Sequence, residues 1–171
     1  KVSVGLEALL ADPKQRRFDP LSSAILTTDL VEKTVYVTAT IGGRNVVVAG
    51  VAKGSGMIAP HMATMLAFLV TNADLCQADL QESLSSAVKH SFNRVSVDTD
   101  TSTNDMVAVL ASGVVKLVTQ DDLGQFRSLL TQACQSLAKQ IARDGEGATR
   151  LVEVLVKGAA SSLDADQVSR Q

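Results

Sequence analysis

The sequence predicts an α/β fold, a layered mixed β-sheet with helices packed on it. Two β-rich runs, residues 35–41 and 45–49, flank Gly42-Gly43-Arg44, a strong hairpin signal. Residues 122–143 form the clearest helix, with Leu123, Phe126, Leu130, Ala133, Leu137 and Ile141 on one stripe. No internal repeat or low-complexity linker interrupts the alternation of strands and helices, and 171 residues suit one ordinary domain with a real core.

In chain order, residues 5–11 read as a short helix before the Asp12-Pro13 turn and the basic stretch from Lys14 to Arg17. Ala24-Ile25-Leu26 is an apolar run that closes on Thr27-Thr28-Asp29. The hairpin follows, and its second strand delivers a glycine-hinged loop, Lys53-Gly54-Ser55-Gly56. Residues 65–70 have the length and apolarity of a buried strand. Residues 79–92 carry Leu80, Leu84, Val88 and Phe92 at helical spacing. Val95 and Val97 alternate into the polar stretch from Asp98 to Asp105, and a strand is expected over 106–110. Gly145 can end the long helix. Residues 151–156 read as a further strand, and residues 164–171 as the opening of an unfinished helix. Because Lys1 is no initiator Met, the chain reads as a piece of a longer protein.

Composition narrows the function classes. The chain is 46% hydrophobic and 20% charged, which argues for an ordered domain. A net charge of −2 without any block of like charges gives no electrostatic reason to expect nucleic acid or an anionic membrane as partner. Every apolar run falls short of the ~20 residues of a membrane helix, and neither terminus resembles a signal peptide. The cytoplasm is therefore the expected compartment. Aromatic residues make up only 3%, too few for evident base-stacking platforms. Cys76 and Cys134 have no paired spacing, so buried free thiols are expected and no metal site.

The chemistry concentrates in four segments. Ala63 precedes Thr64 at the mouth of the apolar run, so a cut between them would give Thr64 a free amine beside its own hydroxyl, base and nucleophile in one residue. Lys53 lies on a loop whose glycines permit close approach to a ligand, but its order does not fit a phosphate loop, in which the lysine follows the glycines. Asp98, Asp100 and Ser102 match the start of a calcium loop, whereas Thr103 and Val109 stand where Gly and Glu are needed. A polar turn whose side chains bond their own backbone is the expectation there. In Asp144-Gly145-Glu146-Gly147, the glycines let a loop fold tightly around a charged group, which singles out Glu146. His61 is a possible orienter near Thr64. His90, inside a helix, is read as structural or exposed.

Together these segments resemble the central part of the ornithine acetyltransferases, the bifunctional glutamate N-acetyltransferases of arginine biosynthesis. The resemblance is carried by residues 24–29, by Lys53-Gly54-Ser55-Gly56-Met57-Ile58 with Met62-Ala63-Thr64-Met65-Leu66, by residues 91–98 with 100–105, and by residues 144–149. It implies an autoprocessed, N-terminal-nucleophile-type acyltransferase whose precursor cuts itself between Ala63 and Thr64. Residues 1–171 would then be the central part of one acetyltransferase domain, with 1–63 in the α chain and 64–171 in the β chain, commonly assembled as a dimer of αβ pairs. It further implies that Thr64 is catalytic and that Thr27, Lys53 and Glu146 join it in binding substrate. Two departures stand out: His61 replaces the family's usual Asn, and Thr99 its usual Gly. The family's oxyanion-hole segment and a downstream set of substrate contacts find no match in this chain, which alone is expected to be incomplete as an enzyme.

The implied reaction needs no cofactor. The Thr64 hydroxyl attacks the Ala63 carbonyl, the resulting ester is hydrolysed, and the released amine, with an ordinary pKa of about 7.7–8.0, serves as general base. The acetyl group of N-acetylornithine moves to Thr64 and then to glutamate. Acetyl-CoA as a further donor is left open. Two other readings are carried: an autoprocessed aminopeptidase or amidase, which passes the acyl group to water, and a non-catalytic scaffold fragment.

Overall fold

The computed structural model describes residues 18–58, 65–98 and 104–169. The helix expected over 5–11, the Ala63–Thr64 bond, His61 and Thr99 lie outside the described residues. The described part is a mixed α/β arrangement built on one four-stranded sheet, ordered β1-β2-β3-β4. Helix α1 (Phe18–Ala24) leads into β1 (Lys33–Ile41) and β2 (Arg44–Lys53). Gly42 and Gly43 both have positive φ, 55° and 74°, and join the strands in the two-residue hairpin that their sequence predicts. β3 (Leu66–Asp74) pairs antiparallel to β2, with Lys53 opposite Leu66. Helix α2 (Gln77–Lys89) then carries the chain over to β4 (Met106–Lys116), which runs parallel to β3.

Helix α3 (Gln120–Arg143) packs against β1, β2 and α2. All six residues of its predicted stripe are buried, and Phe126, Leu130, Ala133, Leu137 and Ile141 share one core with Val46, Val48, Ala52, Ala67, Leu69 and Ala73 from the covered face of the sheet. The single-face alternation in β3 follows from this: Ala67, Leu69, Thr71 and Ala73 point into the core, and their neighbours are only partly covered. At the start of α3, the Thr119 side chain and Asp122 form a reciprocal capping box, which fixes where the helix begins.

Four expectations need correction. Residues 151–156 form no strand: among the described residues no neighbouring strand takes up their backbone groups, and Val152, Val154 and Leu155 are exposed. The helix expected over 79–92 ends at Lys89, because the chain turns at the His90 cap into a short 3₁₀ turn, Phe92–Arg94. The last helix, α4 (Ser162–Val168), starts earlier than Asp164, where Ser161 Oγ accepts the Asp164 amide at 3.1 Å, and it stops at Ser169. Cys134 is buried, and burial pushes its thiol up to about 12, but Cys76 is exposed at the N-cap of α2, where its sulfur accepts the Asp79 amide.

Candidate functional site

The end of β2, the turn before β1 and the turn after α3 meet at one corner of the sheet. Lys53 is the last residue of β2 and only 7% exposed, since β2 lies between two strands beneath α3. Its Nζ reaches Thr27 Oγ1 at 3.3 Å. Among the described residues no carboxylate lies within ion-pair distance of this buried ammonium. One step along the loop, the Ser55 hydroxyl meets that of Thr28 at 2.6 Å, and the Ser55 carbonyl accepts the Glu146 amide at 2.6 Å. A Cβ at Gly56 would overlap Glu146 Oε2, so glycine there lets the carboxylate lie against the loop backbone. Thr27, Lys53 and Glu146, distant in sequence, are thus brought to one place by three loops.

Behind these residues lies a set that sequence reasoning missed. Lys33, the first residue of β1, is fully buried and donates to Asp29 Oδ1 at 2.7 Å, to Asp144 Oδ2 at 2.6 Å and to the Val31 carbonyl at 3.2 Å. Asp29 also accepts the Gly54 amide at 2.6 Å and the Thr27 amide at 3.2 Å. Burial pushes the Asp29 carboxyl up, but the bond from Lys33, the two amides and the Lys33 charge outweigh that and hold it below its ordinary value. Asp144, which caps the C-terminus of α3, accepts the Leu30 amide at 3.0 Å. The four-residue spacing of Asp29 and Lys33 is the one sequence signal for this pair; nothing in the sequence announces Asp144 as its third member.

Residues 99–103 of the polar stretch, and with them most of the turn expected there, lie outside the described residues; the acids at its two ends hold other segments. Asp98 accepts the amides of Met57 and, at 2.8 Å, Ile58, and Asp105 accepts that of Met65 at 2.7 Å. Met57 has φ 57°, an uncommon conformation for a residue with a side chain, and the Asp98 bonds to its amide and the next one hold it. The two acids therefore grip the chain on both sides of residues 59–64, which include the Ala63–Thr64 bond. Burial holds the Asp105 carboxyl above its ordinary value, although the Met65 amide and the nearby charge of Lys53 pull the other way. His90 caps α2, with Nδ1 2.7 Å from the Ser86 carbonyl, and stands apart from this corner. No group of three or more His, Cys, Asp or Glu among the described residues could hold a metal ion.

Residues 1–171 match the ArgJ family along the whole chain. The chain belongs to the ArgJ family. It is 47% identical over its full length to the arginine biosynthesis bifunctional protein ArgJ of Lactococcus lactis subsp. lactis strain IL1403, of which it covers 44%. It is 52% identical over 88% of its length to the protein of the same name from Halalkalibacterium halodurans, covering 38% of that protein. The chain thus spans about two fifths of the length of these curated ArgJ relatives. The crystal structure of ArgJ from Bacillus halodurans superposes with a TM-score of 0.56 at 50% identity, over 59% of this chain and 49% of that one. The mixed α/β fold is therefore that of an ArgJ protein. No helix among the described residues is long and apolar enough to cross a membrane.

Proposed function

We propose that the whole protein to which this chain belongs transfers an acetyl group from N-acetylornithine to glutamate through an acetyl ester on Thr64. The observation that carries this reading is the buried ammonium of Lys53, held by a threonine hydroxyl with no carboxylate within ion-pair distance among the described residues, while its charge is felt beyond that distance at Asp105. A buried cation is costly unless paired, and an amino-acid carboxylate would supply the missing partner. Glu146, exposed at the rim of the same corner, suits the substrate ammonium, and the Thr27 hydroxyl can add a bond to the bound carboxylate. Donor and acceptor are both amino acids, so one such site can receive each in turn. The names of the relatives, proteins of arginine biosynthesis, support the same reaction.

In this mechanism the precursor cuts itself at Ala63–Thr64 by attack of the Thr64 hydroxyl on the Ala63 carbonyl and hydrolysis of the ester formed. The freed amine of Thr64 takes the proton of its own hydroxyl as that oxygen attacks the acetyl carbonyl, and ornithine leaves as the amine. Glutamate then accepts the acetyl group and restores the hydroxyl. Asp98 and Asp105 hold the amides of Ile58 and Met65, on either side of the residues that include Thr64. A dimer of αβ pairs and a cytoplasmic location complete the proposal.

The test is to give the complete protein N-acetylornithine with and without glutamate. Formation of N-acetylglutamate matched to ornithine supports transfer. Release of acetate at the same rate in both conditions would instead mark a hydrolase.

A further inference from the structure

The buried Lys33, Asp29 and Asp144 form a node whose bonds lead outward to each of the three segments at the candidate site. The three ammonium donors of Lys33 are matched by three acceptors, Asp29 Oδ1, Asp144 Oδ2 and the Val31 carbonyl. Asp29 in turn binds the Thr27 amide on its own turn and the Gly54 amide next to Lys53. Asp144 binds the Leu30 amide, and two residues later the chain reaches Glu146. The backbone of Lys33 pairs with Ala52, the neighbour of Lys53 in β2.

Stability gives no sufficient reason for this arrangement. A buried ion pair is often no more stabilising than well-packed apolar groups of the same volume, because desolvation offsets the attraction. What an apolar cluster would not supply is a fixed set of distances between loops. We infer that Lys33, with Asp29 and Asp144, is a positioning residue that sets Thr27, Lys53 and Glu146 at the mutual spacing required by an amino-acid substrate. This rests on the reading that those three residues bind substrate. In this reading the three residues of the node act through the backbone amides they hold.

The experiment uses the complete protein and the variant Asp144→Asn, which keeps the shape and an acceptor oxygen but removes the charge facing Lys33. Asp29→Asn serves as the second variant should the first fail to fold. Leu130→Ala, a buried α3 residue remote from the site, is the control for plain loss of stability. The expected result is a KM for N-acetylornithine and glutamate raised about tenfold, equivalent to weakening one charge-assisted bond, with kcat little changed and Ala63–Thr64 cleavage intact. Hydrogen exchange should quicken together at the amides of Thr27, Leu30, Gly54 and Glu146, and in Leu130→Ala neither KM nor this pattern should move. An unchanged KM, a KM shift equal to that of Leu130→Ala, or exchange that quickens only beside the substituted residue would overturn the inference. A wild-type protein that transfers no acetyl group would sink the functional reading instead, and the exchange pattern would still decide whether the node couples the three loops.

Discussion

Replacing Lys53 with Met separates binding from stability in opposite directions. Lys53 is 7% exposed, and among the described residues its ammonium is held only by Thr27 Oγ1 at 3.3 Å, longer than a good charge-assisted bond. Without substrate the charge therefore meets its desolvation cost with one long bond and an attraction to Asp105 from beyond ion-pair distance. Met has nearly the same length and no charge, so Lys53→Met should leave the urea midpoint of the complete protein unchanged or raise it. With substrate the balance reverses. A hydrogen bond between charged groups contributes about 1.5–3 kcal/mol, which corresponds to a loss in kcat/KM of about 10- to 150-fold, carried mostly by KM. Steady-state kinetics at varied N-acetylornithine and a urea titration of the same preparation are sufficient. Wild-type kinetics in Lys53→Met would refute the assignment of Lys53 to the substrate carboxylate. A fall in stability parallel to the fall in activity would refute the claim that its charge waits for a ligand.

Other outcomes follow from the same geometry. Gly56→Ala places a methyl where Glu146 Oε2 lies, so the carboxylate must move; transfer activity should fall about tenfold while chain cleavage persists, measured by kinetics and intact mass. Leu130→Ala opens a cavity in the fully buried stripe of α3 and should cost about 2–5 kcal/mol in urea unfolding. The Asp29 carboxyl is held below its ordinary value, so its contribution to stability is present above the unfolded pKa and is lost as pH falls through the folded one. Asp105 has the opposite sign, since its raised pKa makes the fold gain stability as pH falls through that value. Asp29→Asn should therefore flatten the acid limb of stability below about pH 4, read from urea midpoints against pH. An unaltered acid limb would show that Asp29 is not the group responsible.

Elements that depend on local pattern were legible in the sequence. The Gly42-Gly43 hairpin follows from two positive-φ positions between β-branched runs, and the stripe of α3 from helical spacing alone. The failure at residues 151–156 has the reverse cause: an apolar run becomes a strand only when another strand accepts its backbone bonds, a tertiary fact. At the site, Thr27, Lys53 and Glu146 were singled out by a family resemblance together with charge and glycine context. Their convergence needed the fold. Lys33 escaped notice because a lysine at the start of a strand ordinarily reads as solvated, and only the turn before β1 and the end of α3 reveal two carboxylates closing over it. The amides that Asp98 and Asp105 grip lie some 40 residues away, so local pattern does not announce these bonds.

The account turns on Thr64, and one intact-mass measurement tests it directly. The complete protein should appear as two chains split between Ala63 and Thr64. After brief exposure to N-acetylornithine, the chain that begins with Thr64 should gain the mass of one acetyl group and lose it when glutamate is added. A single uncut chain, or a cut chain whose Thr64 never carries acetyl, would contradict the account.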